Sequence, residues 1–236
     1  MERDELYNLV SEKEKSLSYA FPALIRKVYV WMTLAMVITG LTAYYCAHSG
    51  LMYVIAQNQV LFWGLIIAEF ALVFGISGAI NRISLATATL MFILYSVVNG
   101  ATLSFIFAIY TATSIASVFF ITAATFATMA LVGYFTKSDL TSMGKMLFMA
   151  LIGLIIATLV NMFLQSSMLM MIISYVGVLV FVGLTAYDSQ KIKQMLMQCD
   201  EVNESTQKLA ILGSLTLYLD FINLFLYLLR ILGDRK

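Results

Sequence analysis

Long apolar runs, separated by short polar stretches, recur seven times along this 236-residue chain. Each run holds about 20 residues, which is the length that crosses a hydrocarbon core of about 30 Å as a helix. The runs are continuous and do not alternate with polar residues, so they indicate helices and not the strands of a membrane barrel. The predicted helices one to seven cover residues 28–47, 60–80, 85–108, 115–135, 146–163, 168–187 and 210–232.

This pattern predicts an all-α polytopic membrane protein of about seven transmembrane helices. Composition agrees, because 61% hydrophobic and 11% charged residues cannot be wrapped around a water-soluble core. We divide the chain into a cytoplasmic N-terminal arm (1–27), a single seven-helix transmembrane domain (28–232) and a short C-terminal tail (233–236). The single proline, Pro22, precedes the first predicted helix, so we expect no helix to be broken by proline.

The positions of lysine and arginine predict the orientation of the chain. Both are absent from the segments between helices one and two, three and four, and five and six. They occur before helix one and in the alternate loops, which predicts a cytoplasmic N-terminus. Arg230, Arg235 and Lys236 break the rule, because they follow helix seven where the rule expects the outer side. Two alternatives stay open: helix seven spans the membrane, or it re-enters and returns.

Charge and cysteine content exclude several classes of partner. A net charge of +1 without a basic stripe argues against nucleic acid. Cys46 and Cys199 fall at opposite ends of the predicted topology, so they cannot form a disulfide within one chain. Together with the single histidine, His48, they have the wrong number and geometry for zinc. We therefore expect no tightly bound metal and no cofactor, with the lipid bilayer as the obligatory partner.

Two aspartates lie on the last two predicted helices. A carboxylate in hydrocarbon costs about 2.5–3.5 kcal/mol even on lenient insertion scales, so a chain that keeps one usually uses it. Asp188 closes helix six on the cytoplasmic side, and Asp220 lies about ten residues into helix seven. If these helices are neighbours, the two acids meet, share a proton and titrate as a coupled pair. The pair is therefore a candidate pH-sensing dyad.

Three further polar residues are candidates for an ion pathway and its gate. Glu69 falls near the middle of helix two, where it is either an acid hydrogen-bonded to a neighbouring Ser, Thr or Asn or a stop for a cation or proton. Asn223 shares a helix face with Asp220 and is either a pathway residue or interhelical glue. Arg82, at the cytoplasmic end of helix two, is a candidate gate partner for the dyad, and a purely topogenic arginine is the alternative.

Two C-terminal segments make the chain recognisable. Residues 185–193 read TAYDSQKIK and residues 217–230 read LYLDFINLFLYLLR. Both closely resemble the C-terminal signatures of the Bax inhibitor-1 family, which is also called the transmembrane Bax inhibitor motif family. The resemblance extends over nearly the whole chain, is strongest from Val182 onward, and implies a bundle with helix seven central.

The resemblance implies a calcium-permeable, pH-sensitive leak, with Asp188 and Asp220 as the proton sensor. An acid in helix two facing the pore and an arginine near the cytoplasmic end of that helix, which are also family features, map onto Glu69 and Arg82. Calcium is then the permeant ion, and protons are the second ligand. Family members are also associated with restraint of cell death and with modulation of a membrane protease, so a membrane protease or another membrane protein is a further implied partner. We favour a bacterial cytoplasmic (inner) membrane.

Two other functions compete with a leak. A non-conducting scaffold that binds and regulates another membrane protein fits the same topology. An intramembrane aspartyl protease would also place a Tyr-Asp pair in one helix and a second aspartate in the next, as Tyr187 and Asp188 begin to do. That class needs Gly-x-Gly-Asp in the next helix, whereas this chain has bulky residues at 217–219. We therefore expect that the protein is not an enzyme.

Overall fold

The computed structural model describes the backbone of residues 2–236 and the side chains of residues 20–236. The described chain is mainly helical, and strand-type pairing within it is limited to an isolated bridge between Tyr110 and Arg235. The all-α prediction is therefore confirmed. The helices are α1 (Glu2–His48), α2 (Leu51–Gln57), α3 (Gln59–Ala79), α4 (Leu85–Leu103), α5 (Ile106–Ile109), α6 (Ala112–Phe135), α7 (Thr141–Leu164), α8 (Ser167–Met197) and α9 (Glu204–Leu232).

Seven helical segments are long and apolar enough to cross a membrane, as the hydropathy pattern predicts. α4 and α5 together supply one span, Leu85–Ile109, and α1 supplies another from Ala20 onward. The remaining spans are α3, α6, α7, α8 and α9. α2 was not predicted, because a helix of seven residues is too short for a hydropathy window to separate from a loop.

The start of the first helix differs from the prediction. α1 begins at Glu2, so the backbone of the predicted arm continues directly into the first span. Pro22 consequently lies inside the helix and not ahead of it. Proline has no N–H, so α1 lacks one backbone hydrogen bond at this point. The side chains of residues 1–19 lie outside the described residues.

The sequence indicated that helix six ends at Asp188, and this prediction is wrong. α8 continues through Met197, and the long predicted loop shrinks to residues 198–203. Hydropathy finds only the part of a helix that needs lipid, whereas Lys191 and Lys193 are good helix formers that extend it into water. Both aspartates therefore lie inside helices.

The chain forms two compact units. Unit one comprises Met1–Ser104 and Ile192–Leu215, and unit two comprises Phe105–Lys191 and Thr216–Lys236. α8 and α9 each contribute one end to unit one and the other end to unit two. The division into arm, transmembrane domain and tail that the sequence suggested stays a prediction.

In unit one, α4 packs against both α1 and α3. The first part of α9 is fixed to α1 by Ser214, which is fully buried and whose Oγ lies 2.9 Å from the carbonyl oxygen of Val28 and 2.7 Å from that of Ala210. A hydroxyl that finds acceptors on its own helix and on a neighbouring helix stabilises their packing in lipid. Leu24, Phe92 and Ile211 are buried in this unit.

In unit two, the part of α9 from Phe221 onward runs antiparallel to the first part of α6. The ring of Phe221 lies 5.6 Å from that of Phe126, and Phe225 lies 6.2 Å from Phe119, one or two turns nearer the start of α6. Beyond the end of α9, the N–H of Asp234 donates to Ser114 Oγ in the first turn of α6. α9 is thus one unbroken helix, long and apolar enough to span, without the turn back that a re-entrant segment needs.

The C-terminal tail is bound to the loop before α6. The N–H of Thr111 donates to the carbonyl of Asp234 at 3.1 Å, and the N–H of Lys236 donates to that of Ile109 at 2.9 Å. The ammonium of Lys236 donates to the carbonyl of Phe107 at 2.7 Å. Part of the C-terminal positive charge that breaks the charge rule is thus engaged locally, at the end of α6 that lies away from Asp220.

We expect residues 137 and 235 to lie on opposite sides of the membrane, because they lie at opposite ends of the spanning helix α6. In a variant lacking Cys46 and Cys199, Lys137→Cys and Arg235→Cys are introduced one at a time. A membrane-impermeant maleimide applied to intact cells should label one of them and not the other, and permeabilised cells should show both labelled. Labelling of both in intact cells would contradict the spanning helix.

Candidate functional site

The structure brings the two predicted aspartates together. Asp188 of α8 and Asp220 of α9 both belong to unit two, and their carboxyl groups are hydrogen-bonded to each other. Asp220 is only 5% exposed, and Asp188 is partly buried. A hydrogen bond between two carboxyl groups requires a proton on one of them, because two carboxylates have no donor. The arrangement therefore suits one shared proton.

Two buried oxygens near this pair make no hydrogen bond within residues 20–236: Oδ2 of Asp220 and Oγ of Ser189. Buried polar atoms are nearly always paired in folded proteins, so unpaired ones indicate a functional position or a strained one. Ser189 directly follows Asp188 in the chain and is 2% exposed. Besides the hydrogen bond between the two acids, Oδ2 of Asp220 can thus accept a further hydrogen bond.

Close glycine contacts fix the part of α8 that carries Asp188. A Cβ added at Gly133 of α6 would lie 2.0 Å from the carbonyl oxygen of Ala186, so only glycine allows this approach. A Cβ at Gly144 of α7 would lie 2.4 Å from the ring of Tyr187. Small residues let helices in membranes approach closely, and here they hold α8 against α6 and α7 immediately before Asp188.

Gln190, two residues after Asp188, binds the loop between α6 and α7. Its Oε1 accepts from the N–H of Leu140 at 2.8 Å, and its Nε2 donates to the carbonyl of Ser138 at 2.8 Å. The side chain is 6% exposed. One amide thus satisfies a donor and an acceptor of the same loop, which fixes the loop to the Asp188 segment.

The same loop is ordered by Asp139 at the start of α7. The hydroxyl of Thr141 donates to Asp139 Oδ1 at 2.6 Å, and the N–H of Thr141 donates to it at 2.9 Å. These hydrogen bonds lower the pKa of the Asp139 carboxyl, which is fully exposed. The carboxylate therefore stays ionised at neutral pH as a local cap, separate from the buried pair.

Among the described residues, Lys191 is the cation that acts on Asp188. Its charge interacts with the carboxylate, and its ammonium lies 5.8 Å from the centre of the Tyr187 ring. The sequence pointed to Arg82, which lies exposed in the turn after α3, in unit one. Its proposed pairing with the dyad stays a prediction.

Glu69 lies at the middle of α3 in unit one and is partly buried. Its Oε1 accepts from the hydroxyl of Thr102 at 2.5 Å, and the side chain of Asn99 is a second hydrogen-bond partner. Tyr95 lies within electrostatic range. The partners on α4 are the kind that the hydrogen-bonded alternative requires, and the same oxygens are also suitable ligands for a passing cation.

Asn223 lies on α9, partly buried, three residues beyond Asp220. Its Nδ2 donates to the carbonyl of Leu219 on the same helix at 2.8 Å. The described contact is therefore within α9, and the pathway role of Asn223 stays a prediction.

Within residues 20–236, no three His, Cys, Asp or Glu side chains form a group that could hold a metal ion. Cys46 and Cys199 are both free thiols.

Several residues of this site were not identified from the sequence. Gly133 and Gly144 look like ordinary glycines of apolar helices, and only their neighbours on α8 show why they are needed. Gln190 carried a usable signal, because it is an amide two residues from an intramembrane acid and lies inside the recognised motif.

Comparison with known proteins agrees with the motifs. The family model described as inhibitor of apoptosis-promoting Bax1 matches residues 22–236. The chain belongs to the Bax inhibitor-1 family. The resemblance seen in the two C-terminal segments is thereby confirmed, and the match includes all five candidate site residues.

Bacterial relatives are similar to this Bax inhibitor-1 family chain over most of their length. The inner membrane protein YbhL of Escherichia coli is 53% identical over 212 residues, which cover 89% of this chain and 91% of that protein. A Borreliella burgdorferi protein is 46% identical over 213 residues, covering 90% and 92%. A Rickettsia prowazekii protein is 42% identical over 228 residues, covering 96% and 95%.

We expect Gly133→Ala to destabilise the protein, because its new Cβ would overlap the backbone of α8. Overpacking of this kind costs about 1–3 kcal/mol. Thermal unfolding of the detergent-solubilised protein should therefore show a clearly lower midpoint. Gly153→Ala is the matched control, since no atom lies within 4 Å of the Cβ it would add. Equal midpoints for the two variants would contradict the close approach of α6 and α8.

We expect Gln190→Leu to loosen the loop between α6 and α7, because it leaves one N–H and one carbonyl unpaired, at about 1 kcal/mol each. Hydrogen–deuterium exchange should become faster in a peptide that covers residues 136–141. Gln194→Leu, an exposed glutamine one turn further along α8, is the control and should leave exchange unchanged. Identical exchange in both variants would show that Gln190 does not hold the loop.

Proposed function

We propose that this Bax inhibitor-1 family protein is a pH-sensitive leak for calcium or other cations in the bacterial inner membrane. The observation that carries the proposal is the hydrogen-bonded pair Asp188–Asp220, buried in unit two. Seven spans fit a multi-pass protein, and the E. coli relative is named an inner membrane protein. From the distribution of lysine and arginine we place the N-terminus in the cytoplasm.

The shared proton acts as the switch in this proposal. When the proton leaves, two negative charges about 4 Å apart repel by about 4 kcal/mol at an effective dielectric constant of 20. A few kcal/mol suffice to shift the balance between two conformations. α8 is held by Gly133, Gly144 and Gln190, so the repulsion is relieved by movement of the part of α9 that carries Asp220. There, Phe221 faces α6 through ring contacts with Phe119 and Phe126.

The permeant cation needs oxygen ligands once it leaves water. Glu69 and the hydroxyl of Thr102 supply such oxygens at the middle depth of α3. Asn223 donates its N–H to Leu219 and so keeps its carbonyl oxygen available as a further ligand. We assign these residues to the pathway and Arg82 to its gate, with calcium as a permeant ion and not a bound cofactor.

A pair of contacting aspartates is also the catalytic arrangement of aspartyl proteases. Here the neighbours of Asp220 on α9, Leu217, Tyr218 and Phe221, are large and at most 1% exposed. An intramembrane protease of this kind needs small residues beside the second aspartate so that a substrate backbone can approach. The packing thus favours a sensor over an enzyme.

The test of the leak is calcium flux into dye-loaded liposomes that contain the purified protein, measured from about pH 5 to 8. We expect a flux that depends on pH, because a coupled acid pair releases its two protons in separate steps. Asp188→Asn and Asp220→Asn each remove the repulsion between two carboxylates, so both should flatten this dependence. Glu69→Gln should lower the flux at every pH while the dependence on pH remains.

Asp139→Asn is the matched control, because Asp139 is an exposed aspartate of unit two and an amide oxygen can still accept from Thr141. It should retain both the flux and its pH dependence. A pH dependence that persists in Asp188→Asn and Asp220→Asn would reject the dyad as the sensor. Absence of flux above that of empty liposomes, from folded protein, would reject the leak and leave the regulatory scaffold as the remaining function.

A further inference from the structure

A cavity of about 420 Å³ opens on unit one between α1, α4 and the first part of α9. It lies apart from Glu69 along the chain and is lined by Arg26, Lys27, Trp31, Leu34, Leu85 and Ile211, among others. Its volume lies in the range of small-molecule sites. The proposed leak assigns no role to these residues.

The wall formed by α1 changes from basic to apolar along the helix. Arg26 and Lys27 begin it, and Val30 and Leu34 follow one and two turns further into the span. Val30 is 49% exposed and Leu34 is 45% exposed, so the wall is open towards the lipid. From Lys27 to Leu34 the helix rises by about 10 Å, which is most of one leaflet of hydrocarbon.

The basic end of the cavity carries positive charge, and its lining contains no acid among residues 20–236. Arg26 and Lys27 are the charged residues of the described lining, and the ammonium of Lys27 is oriented by a hydrogen bond to Gln207 Oε1. The nearby acid Glu204 lines an adjacent cavity, where it accepts from the N–H of Leu85 at the start of α4. The cavity mouth therefore attracts an anion.

Trp31 gives the cavity an interfacial character. It lies one turn beyond Lys27 and is partly buried in the cavity wall. Tryptophan is enriched where the hydrocarbon meets the headgroups, because its ring is apolar and its N–H is polar. Basic residues, a tryptophan and an apolar wall follow one another in the same order as the headgroup, the interface and the acyl chain of a lipid.

We infer that this cavity binds an anionic phospholipid, with the headgroup phosphate at Arg26 and Lys27 and an acyl chain along Val30, Leu34 and Ile211. A cavity that opens onto hydrocarbon is filled by lipid in a membrane, so the basic end determines which headgroup is preferred. Basic pockets between transmembrane helices on the cytoplasmic side are typical sites for acidic headgroups. Arginines and lysines that serve topology alone require neither the cavity nor the apolar wall behind it.

The test uses the two tryptophans of the chain, Trp31 and Trp63. Trp63→Phe leaves Trp31 as the reporter in the cavity, and Trp31→Phe leaves Trp63, which is 48% exposed on α3. Each protein is placed in phosphatidylcholine vesicles that contain brominated phosphatidylglycerol or brominated phosphatidylcholine. Trp31 should be quenched at about fivefold lower content of the anionic lipid, whereas Trp63 should respond equally to both.

Charge variants identify the residues responsible. In the Trp63→Phe protein, the double substitution Arg26→Gln and Lys27→Gln should remove the preference. The two brominated lipids should then quench Trp31 at about equal content. Lys137→Gln with Lys145→Gln removes the same charge from exposed positions and should retain the preference. Equal quenching of Trp31 by the two lipids, or a preference that survives the loss of both Arg26 and Lys27, would overturn the assignment. None of these readouts depends on calcium flux, so the site and the leak are tested separately.

Discussion

The contact between two carboxyl groups inside a helix bundle is the constraint on which unit two depends. Asp188 and Asp220 are stable together only while they hold a proton between them or are kept from separating by the surrounding helices. The structure provides that restraint on one side, where α8 lies against glycines of α6 and α7 and where Gln190 holds the loop between them. A flexible α8 would let the acids part, and the pair would lose its coupling.

Burial of α9 is the second condition for the pair. It is the most enclosed span. In its most apolar stretch of 18 residues 67% of the residues are buried, against 6–39% in the corresponding stretches of the other six spans. A helix that carries an aspartate, an asparagine and several hydroxyls is stable in the membrane when other helices and not lipid surround it. α3 shows the opposite solution, because it is the least buried span and its single acid, Glu69, is satisfied by hydrogen bonds to α4.

The seven spans and the identity of the aspartates could be predicted because hydropathy and the cost of a buried charge depend on sequence alone. Helix ends could not, since α8 continues past Asp188 once the chain leaves the lipid and no longer needs apolar residues. Pro22 inside α1 was missed for a related reason, because proline weakens a helix without always ending it. The roles of Gly133 and Gly144 depend on which helix approaches them, and this is information that no local pattern contains.

One of the two segments that made the family recognisable, residues 185–193, contacts several parts of unit two. Within one and a half turns of α8, Ala186 contacts Gly133, Tyr187 contacts Gly144 and Gln190 binds the loop between α6 and α7. Asp188, between these positions, meets Asp220. Each position is restricted by a different partner, so few substitutions preserve all of these contacts together. The residues of this motif therefore have two tasks: one of them is an acid of the pair, and the others pack so that the acid pair stays in place.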